Sequence, residues 1–212
     1  MVLNDIKNDT LPFIGKKYYL AYYQGLKEPV PYVFKDSCYE LVTDINKADF
    51  VYCGVPQTEN KERSDLNLLM PEIERIKKSE LPLICPNPDY MAVEGDKFVI
   101  CQGLVSKTYE DMGGKVVYYG KPNADIFLKA LENLKISNKS KALMVGDTIR
   151  TDIKGANNAN IAACLTLSKS VTENEMVSKN IEVNEKNIFE YAKNWDAVPD
   201  FIIKKVSKEE LF

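Results

Sequence analysis

The chain has 212 residues, 45% of them hydrophobic and 28% charged, with a formal net charge of −3. This composition is typical of an ordinary globular protein, and the negative charge without any basic block argues against nucleic-acid and anionic-membrane partners. The absence of histidine excludes Ser-His-Asp and Cys-His catalysis and histidine-ligated zinc. Any chemistry must therefore come from carboxylates, Lys, Tyr, Cys or a bound ion.

The start of the chain shows neither a signal-peptide pattern nor an apolar run able to span a bilayer, and we expect a cytoplasmic protein. The five cysteines are odd in number and widely spaced, and no Cys-x-x-Cys pair suggests zinc or redox chemistry. Most of them lie in apolar runs, so we interpret them as buried free thiols.

Short apolar runs bounded by turn residues alternate with helical patterns, which indicates an α/β protein. Strands are predicted, in chain order, over 17–22, 49–54, 82–85, 116–119, 141–145, 161–167 and 201–203. Helices are predicted over 66–78, after Pro122, and from about 186 to 195. From Gly120 onward helices and strands alternate in the rhythm of a parallel sheet, so we place a domain boundary near Tyr118.

The most informative stretch is KALMVGDTIRTDIKGANNANI, residues 141–161. An apolar strand ends at Gly146-Asp147, and Asp152 follows where the next helix is predicted to begin. Ligands of open α/β sheets gather at the carboxyl ends of strands, and carboxylate oxygens suit Mg²⁺, so Asp147 is a candidate metal ligand. The alternative is a simple turn in which Thr151 or Asp152 caps the following helix. A generic turn does not require a pattern as specific as Gly-Asp-x-x-x-Thr-Asp, so this spacing favours the metal site.

Upstream, the stretch YYGKPNADIF places Lys121 between a strand that ends at Gly120 and a helix for which Pro122 suits the first position. Dipole and free N–H groups there favour an anion, and a lysine can pair with a phosphate as a point charge. By itself, Gly-Lys-Pro is more typical of a turn in which Lys121 is simply solvated. Together, Lys121 and Asp147 predict a cation and a metal-binding acid that bind opposite sides of one phosphate.

A third motif, Asn87-Pro88-Asp89, follows the strand predicted over 82–85. It is a turn signal because Pro fixes φ, and Asn and Asp hydrogen-bond to nearby backbone. Turn chemistry assigns no function to it.

In order and separation, Asn87-Pro88-Asp89, Gly120-Lys121-Pro122 and the segment 146–152 resemble the motifs of the NagD-like branch, class IIA, of the haloacid dehalogenase (HAD) superfamily. The resemblance covers roughly 16–203. It implies an α/β protein with a partial Rossmann-like HAD core, built on a parallel sheet, and an α/β class II cap domain. Residues 1–117 would be mainly cap, about the first 15 being a remnant of the core or hinge, and 118–212 the C-terminal part of the core.

The resemblance also implies Mg²⁺-dependent hydrolysis of phosphate monoesters through an aspartyl-phosphate, with a small phosphorylated metabolite as substrate. By it, Lys121 would steady the nucleophile and bind the phosphate, Asp147 would bind Mg²⁺, and Asp152 would support the metal site or Lys121. Asn87 and Asp89 would lie in the cap, near the hinge or substrate entrance.

One departure from the family changes the expected activity. Family members begin with an apolar strand ending in Asp-x-Asp, whose first Asp attacks phosphorus, and then a strand ending in Ser or Thr. Neither motif is present; Asp5 and Asp9 have the wrong spacing and no buried strand before them. We therefore expect an unpaired edge on the strand 141–145, which favours association, and no catalysis by the chain alone.

Three interpretations stay open. The chain could be one half of a split phosphatase, completed by a separate N-terminal HAD fragment. It could be a non-catalytic protein that binds a phosphorylated ligand or another protein. It could also be a degraded gene product. Self-association through the open sheet edge is expected as well.

Overall fold

A computed structural model describes residues 2–13, 15–22 and 32–206 and divides the chain into two compact units. Unit 1 is Met1–Gly120 and unit 2 is Lys121–Phe212. The assignment of the first unit to a cap and of the second to a core stays a prediction.

Unit 1 is built on a parallel five-stranded sheet in the order β2-β1-β3-β4-β7, with an antiparallel hairpin of β5 and β6 outside it. Helices α2 and α3 pack on one face, and α1 packs against the other. The elements are α1 (Val2–Lys7), β1 (Lys17–Ala21), β2 (Glu40–Val42), β3 (Phe50–Cys53), α2 (Leu66–Ser79), β4 (Leu83–Cys85), β5 (Met91–Glu94), β6 (Lys97–Ile100), α3 (Gln102–Asp111) and β7 (Val116–Tyr118).

Helix α2 shows how the sequence sets these elements. Asp65 caps its start by accepting a hydrogen bond from the backbone N–H of Asn67. Leu69, Ile73 and Ile76 recur at helical spacing and are fully buried against the sheet. Each such burial contributes roughly 1.5–3 kcal/mol, so this stripe fixes the helix on the sheet.

Unit 2 carries a parallel three-stranded sheet in the order β10-β9-β8. A π-helical turn, Ile149–Ile153, joins the loop after β8 to helix α5. The elements are α4 (Ala124–Asn133), β8 (Leu143–Gly146), α5 (Lys154–Ala159), β9 (Ala162–Thr166), α6 (Val171–Ser178), α7 (Glu185–Lys193) and β10 (Phe201–Ile203).

The two faces of the unit 2 sheet differ in burial. Met144, Ala163 and Leu165 point into a core that α6 and α7 complete. On the opposite face, Leu143, Val145 and Phe201 are 51%, 43% and 56% exposed. Parallel sheets normally bury both faces, so this face is open to a further layer. Among the described residues β8 pairs with β9 alone, so it is an edge strand within that part of the chain.

The fold class expected from the sequence is confirmed, and the predicted strands and helices are found with ends shifted by a few residues. Two local expectations are wrong. The segment Lys139–Lys141 is a 3₁₀ turn, so β8 begins only at Leu143. Helix α4 begins at Ala124 with Asn123 at its cap position, so Pro122 and Lys121 precede the helix instead of opening it.

Substituting Gly155 by alanine is expected to destabilise unit 2 by about 1–3 kcal/mol. In an open helix this change would be stabilising, because alanine has the higher helix propensity. Here an added Cβ would overlap the ring of Phe127 on α4. Urea unfolding followed by the fluorescence of Trp195, the one tryptophan in the chain, measures the effect. Adding Phe127→Leu should recover part of the loss, and a stabilised Gly155→Ala protein would contradict the packing.

Candidate active site at the carboxyl end of β8

The loop that follows β8 is organised by the carboxylate of Asp152. Its Oδ2 accepts hydrogen bonds from the backbone N–H groups of Asp147, at 3.1 Å, and Thr148, at 3.2 Å. A Cβ on Gly146 would lie 2.5 Å from the same oxygen. Glycine is therefore required at 146 for the carboxylate to approach the strand end, which explains the spacing from Gly146 to Asp152.

Lys121 is held by the other oxygen of that carboxylate. Its Nζ donates to Asp152 Oδ1 at 2.6 Å, and the two side chains are 30% and 5% exposed. The neighbouring backbone is fixed to α5, since Asn158 Nδ2 donates to the carbonyl oxygen of Pro122 at 2.9 Å. The ammonium group thus lies beside the loop with part of its surface open to solvent.

Asp147 is oriented by the start of α6. Its Oδ2 accepts a hydrogen bond from the backbone N–H of Val171 at 2.9 Å, and its Oδ1 accepts one from Thr148 Oγ1 at 3.2 Å. The carboxylate therefore sits at a helix N-terminus, where the dipole favours negative charge. Ser170 caps this helix by accepting from the backbone N–H of Glu173 at 2.8 Å.

Sequence reasoning missed the contribution of α6 to the site. The buried Thr172 links both sides of the loop: its N–H donates to the carbonyl oxygen of Asp147, and its Oγ1 accepts from the N–H of Ile149. The available signal was the Ser-x-x-Glu pattern of Ser170 and Glu173, which marks a helix start. Nothing local in that pattern indicates a contact with residue 147.

The helix-capping alternative for Thr151 and Asp152 is wrong. Both residues lie inside the π-helical turn, and the cap position of α5 is Ile153, which makes no side-chain capping bond. Asp152 satisfies backbone N–H groups of the preceding loop instead of those of the following helix. Asp152 thus contacts both the Lys121 ammonium group and the backbone of Asp147.

The geometry of Asp147 fits a magnesium site in which the protein supplies only some of the ligands. Each of its oxygens accepts one hydrogen bond and keeps a lone pair. Within the part of the chain that the structure describes, no group of three or more His, Cys, Asp or Glu side chains could enclose a metal. Mg²⁺ commonly takes only one or two protein carboxylates and fills its shell with water and phosphate. Asp147 fits that pattern and does not fit an all-protein metal cage.

The structure brings together Lys121, Asp147 and Asp152, whereas Asn87 and Asp89 belong to unit 1. Asn87 Oδ1 accepts from the backbone N–H of Asp89 at 3.2 Å, which forms the predicted local turn. The carbonyl oxygen of Asp89 then accepts from the N–H of Gly103 at 3.0 Å, and this fixes the turn to the first turn of α3. A part in substrate binding stays a prediction for both residues.

Asp5 and Asp9 make structural contacts in unit 1. Asp5 Oδ2 accepts a hydrogen bond from the Tyr119 hydroxyl at 2.7 Å. Asp9 accepts one from the Tyr39 hydroxyl at 3.0 Å and forms an ion pair with Lys16. Burial and the bond to Asp5 raise the pKa of Tyr119, so its hydroxyl keeps the proton it donates. These contacts give both carboxylates a role in packing.

A family model of HAD-hydrolase-like proteins matches residues 118–194, which contain Lys121, Asp147 and Asp152. This part of the chain is therefore similar to the haloacid dehalogenase (HAD) superfamily. The predicted resemblance to this superfamily is confirmed, whereas the absence of the segment that would carry the nucleophile stays a prediction. A pyrimidine 5′-nucleotidase of Escherichia coli (YjjG) is 50% identical over 44 residues, which cover 21% of this chain and 20% of that protein.

Two solved structures share the HAD fold with most of the chain. A possible sugar phosphatase from Cytophaga hutchinsonii superposes with a TM-score of 0.63 at 20% identity, covering 96% of this chain and 68% of that one. A glycerol phosphate phosphatase from Mycobacterium tuberculosis, solved with magnesium, gives 0.59 at 18% identity, covering 96% and 55%. The chain thus spans only part of the length of these two proteins. Among the described helices none is long and apolar enough to cross a membrane.

Proposed function

We propose that the site of unit 2 binds a phosphate monoester of a small metabolite together with Mg²⁺ and takes part in its hydrolysis. The observation that carries the proposal is the pairing of Lys121 Nζ with Asp152 at 2.6 Å, because the same carboxylate also holds the loop that bears Asp147. One acid therefore sets the separation of a cation and a metal-binding carboxylate. The names of the nucleotidase and the two phosphatases support a monoester substrate.

Each residue has a distinct part in this proposal. Lys121 neutralises a phosphate oxygen with the exposed part of its ammonium group. Asp147 binds the metal ion, which when bound neutralises phosphate charge and polarises the phosphoryl group. Asp152 is a positioning residue, since both of its oxygens are engaged by the protein. Asn87 and Asp89 are proposed, on the family resemblance alone, to contribute to substrate binding.

The nucleophilic aspartate is proposed to come from a separate polypeptide, so that the chain alone binds phosphate without turnover. Two observations support a missing layer: within the described part of the chain β8 pairs on one side only, and its residues Leu143 and Val145 are exposed. A cytoplasmic location is part of the proposal, and the five unbridged cysteines favour it.

The direct test is calorimetric titration of inorganic phosphate into the chain with and without Mg²⁺. We expect Mg²⁺-strengthened binding that falls about ten- to a hundredfold in Lys121→Ala, the cost of losing a charged hydrogen bond. Asp147→Asn should lose the dependence on Mg²⁺. Lys129→Ala is the matched control, since that lysine is paired with Glu132 on the exposed surface of unit 2.

A parallel assay with 4-nitrophenyl phosphate separates the parts of the proposal. No hydrolysis by the chain alone is expected. Hydrolysis that disappears in both Lys121→Ala and Asp147→Asn would refute the external nucleophile while keeping the site. Absence of phosphate binding in a folded sample would refute the site itself.

A further inference from the structure

A cavity in unit 1 lies where the topology of its sheet favours ligand binding. The strand order β2-β1-β3-β4-β7 reverses direction at β1, since the chain first adds β2 on one side and then β3 on the other. In open parallel sheets such a reversal leaves a crevice outside the carboxyl ends of the strands, and small molecules bind there. The residues just after β1 and β2 and a segment after β3 line a cavity at this place.

The cavity has the size of a small-molecule site. Its volume is about 520 Å³, within the roughly 300–1,000 Å³ usual for ligand pockets. Tyr19 and Tyr22 form part of its floor and are almost fully buried. Leu68, on the first turn of α2, lies at its rim with 49% of its surface exposed.

The floor carries a preformed polar network. The hydroxyl of Tyr19 donates to Glu72 Oε1 at 2.7 Å and accepts from Arg75 Nη1 at 3.3 Å. Arg75 also lies 3.2 Å from Glu72 Oε2. Burial, followed by the contact with Glu72, raises the pKa of Tyr19, which keeps the phenol protonated. Acceptor, hydroxyl and donor groups thus stand side by side in the lining of the cavity.

The charges of the lining decide the class of ligand. Among the lining residues that the structure describes, Glu59 and Glu72 are the two carboxylates and Arg75 is the one cation, which is paired with Glu72. An anion such as phosphate would therefore meet net repulsion. The neutral side chains of Gln57, Thr43 and Asn60 add donors and acceptors around the rim. Hydroxyl groups both donate and accept, so they satisfy carboxylates, amides and the guanidinium group at once.

We propose that this cavity binds a neutral polyhydroxylated molecule, a sugar or polyol, through the Tyr19–Glu72–Arg75 network. The apolar ring faces and leucines of the lining cover the carbon skeleton while the polar groups bind its hydroxyls. The site lies within unit 1 and stands independently of the phosphate site proposed for unit 2.

The test uses D-glucose, D-ribose, myo-inositol and trehalose as probes, with saturation-transfer NMR to detect binding and calorimetry to measure it. At least one probe is expected to bind saturably. Leu68→Trp, which fills the rim, should weaken that binding at least tenfold. Leu134→Trp is the matched control, because Leu134 is 68% exposed and belongs to unit 2. Gln57→Ala, a smaller change in the same lining, is expected to weaken binding without affecting the fold.

Three outcomes would overturn the proposal. The first is that none of the four probes binds to a sample whose far-UV circular dichroism shows the folded protein. The second is binding of equal strength in wild type, Leu68→Trp and Gln57→Ala. The third is that inorganic phosphate displaces the sugar from the wild-type protein and that Leu68→Trp no longer binds phosphate at this cavity. That result would make the cavity an anion site.

Discussion

Asp152→Ala is expected to lower the free energy of unfolding of unit 2 by about 2–4 kcal/mol. The change removes the acceptor of two backbone N–H groups and breaks the ion pair of Asp152 with Lys121. Breaking a fully buried ion pair costs roughly 3–5 kcal/mol, and the partial exposure of Lys121 reduces that cost. Urea unfolding followed by Trp195 fluorescence reports on unit 2, because Trp195 lies in that unit and is the one tryptophan in the chain.

Two control variants show whether the effect comes from the backbone contacts. Lys121→Met removes the cation but leaves Asp152 bonded to both N–H groups, so it should cost clearly less than Asp152→Ala. Glu132→Ala breaks an ion pair of similar length, 2.7 Å, between exposed side chains and should cost no more than about 0.5 kcal/mol. Equal losses in Asp152→Ala and Lys121→Met would show that the loop does not depend on the carboxylate.

The contrast between Asp147 and Asp152 shows how far the sequence predicts the site. Asp147 directly follows an apolar strand, so the general rule for strand ends was enough to select it. The position of the Asp152 carboxylate depends on the π-helical turn. The wider winding of this turn directs the carboxylate back toward the end of the strand. A period of 3.6 residues cannot anticipate that turn, and the sequence therefore also allowed a helix cap.

The same limit applies to long-range contacts and short elements. The bond from Val171 to Asp147 joins residues far apart in sequence, and no periodicity indicates it. Strand β2 has three residues of mixed polarity and was not predicted, although it pairs in register with β1. By contrast, β3 and β4 are continuous apolar runs buried on both faces and were predicted from that pattern.

Adding a polypeptide that carries an apolar strand ending in Asp-x-Asp is expected to raise Mg²⁺-dependent hydrolysis of 4-nitrophenyl phosphate by about a thousandfold or more over the chain alone. A strand added in parallel beside β8 would end at the same sheet edge as Asp147, because carboxyl ends of parallel strands coincide. The new carboxylate would then stand near Lys121 and Asp147. The corresponding segment of a HAD phosphatase serves as the probe.

Variants of β8 test whether this edge receives the added strand. Val145→Glu places a charge on the open face, where Val145 is 43% exposed, and should reduce the gain in rate at least tenfold while leaving this chain folded. Val177→Glu is the matched control, since Val177 is 60% exposed on α6. Replacing the first Asp of the added strand by Asn should abolish hydrolysis without preventing association. Association without hydrolysis by the unsubstituted pair would favour the non-catalytic alternative.

Self-association would not replace the added strand. A symmetric dimer formed through β8 would pair this strand with its own copy in antiparallel orientation, which puts the two Asp147 residues at opposite ends of the ladder. Such a dimer covers the open edge but brings no second carboxylate to either site. Sedimentation of the chain alone and with the added polypeptide therefore distinguishes the two kinds of pairing. Only the mixed complex should gain hydrolysis, and an active dimer of this chain alone would contradict the assignment of the nucleophile to another polypeptide.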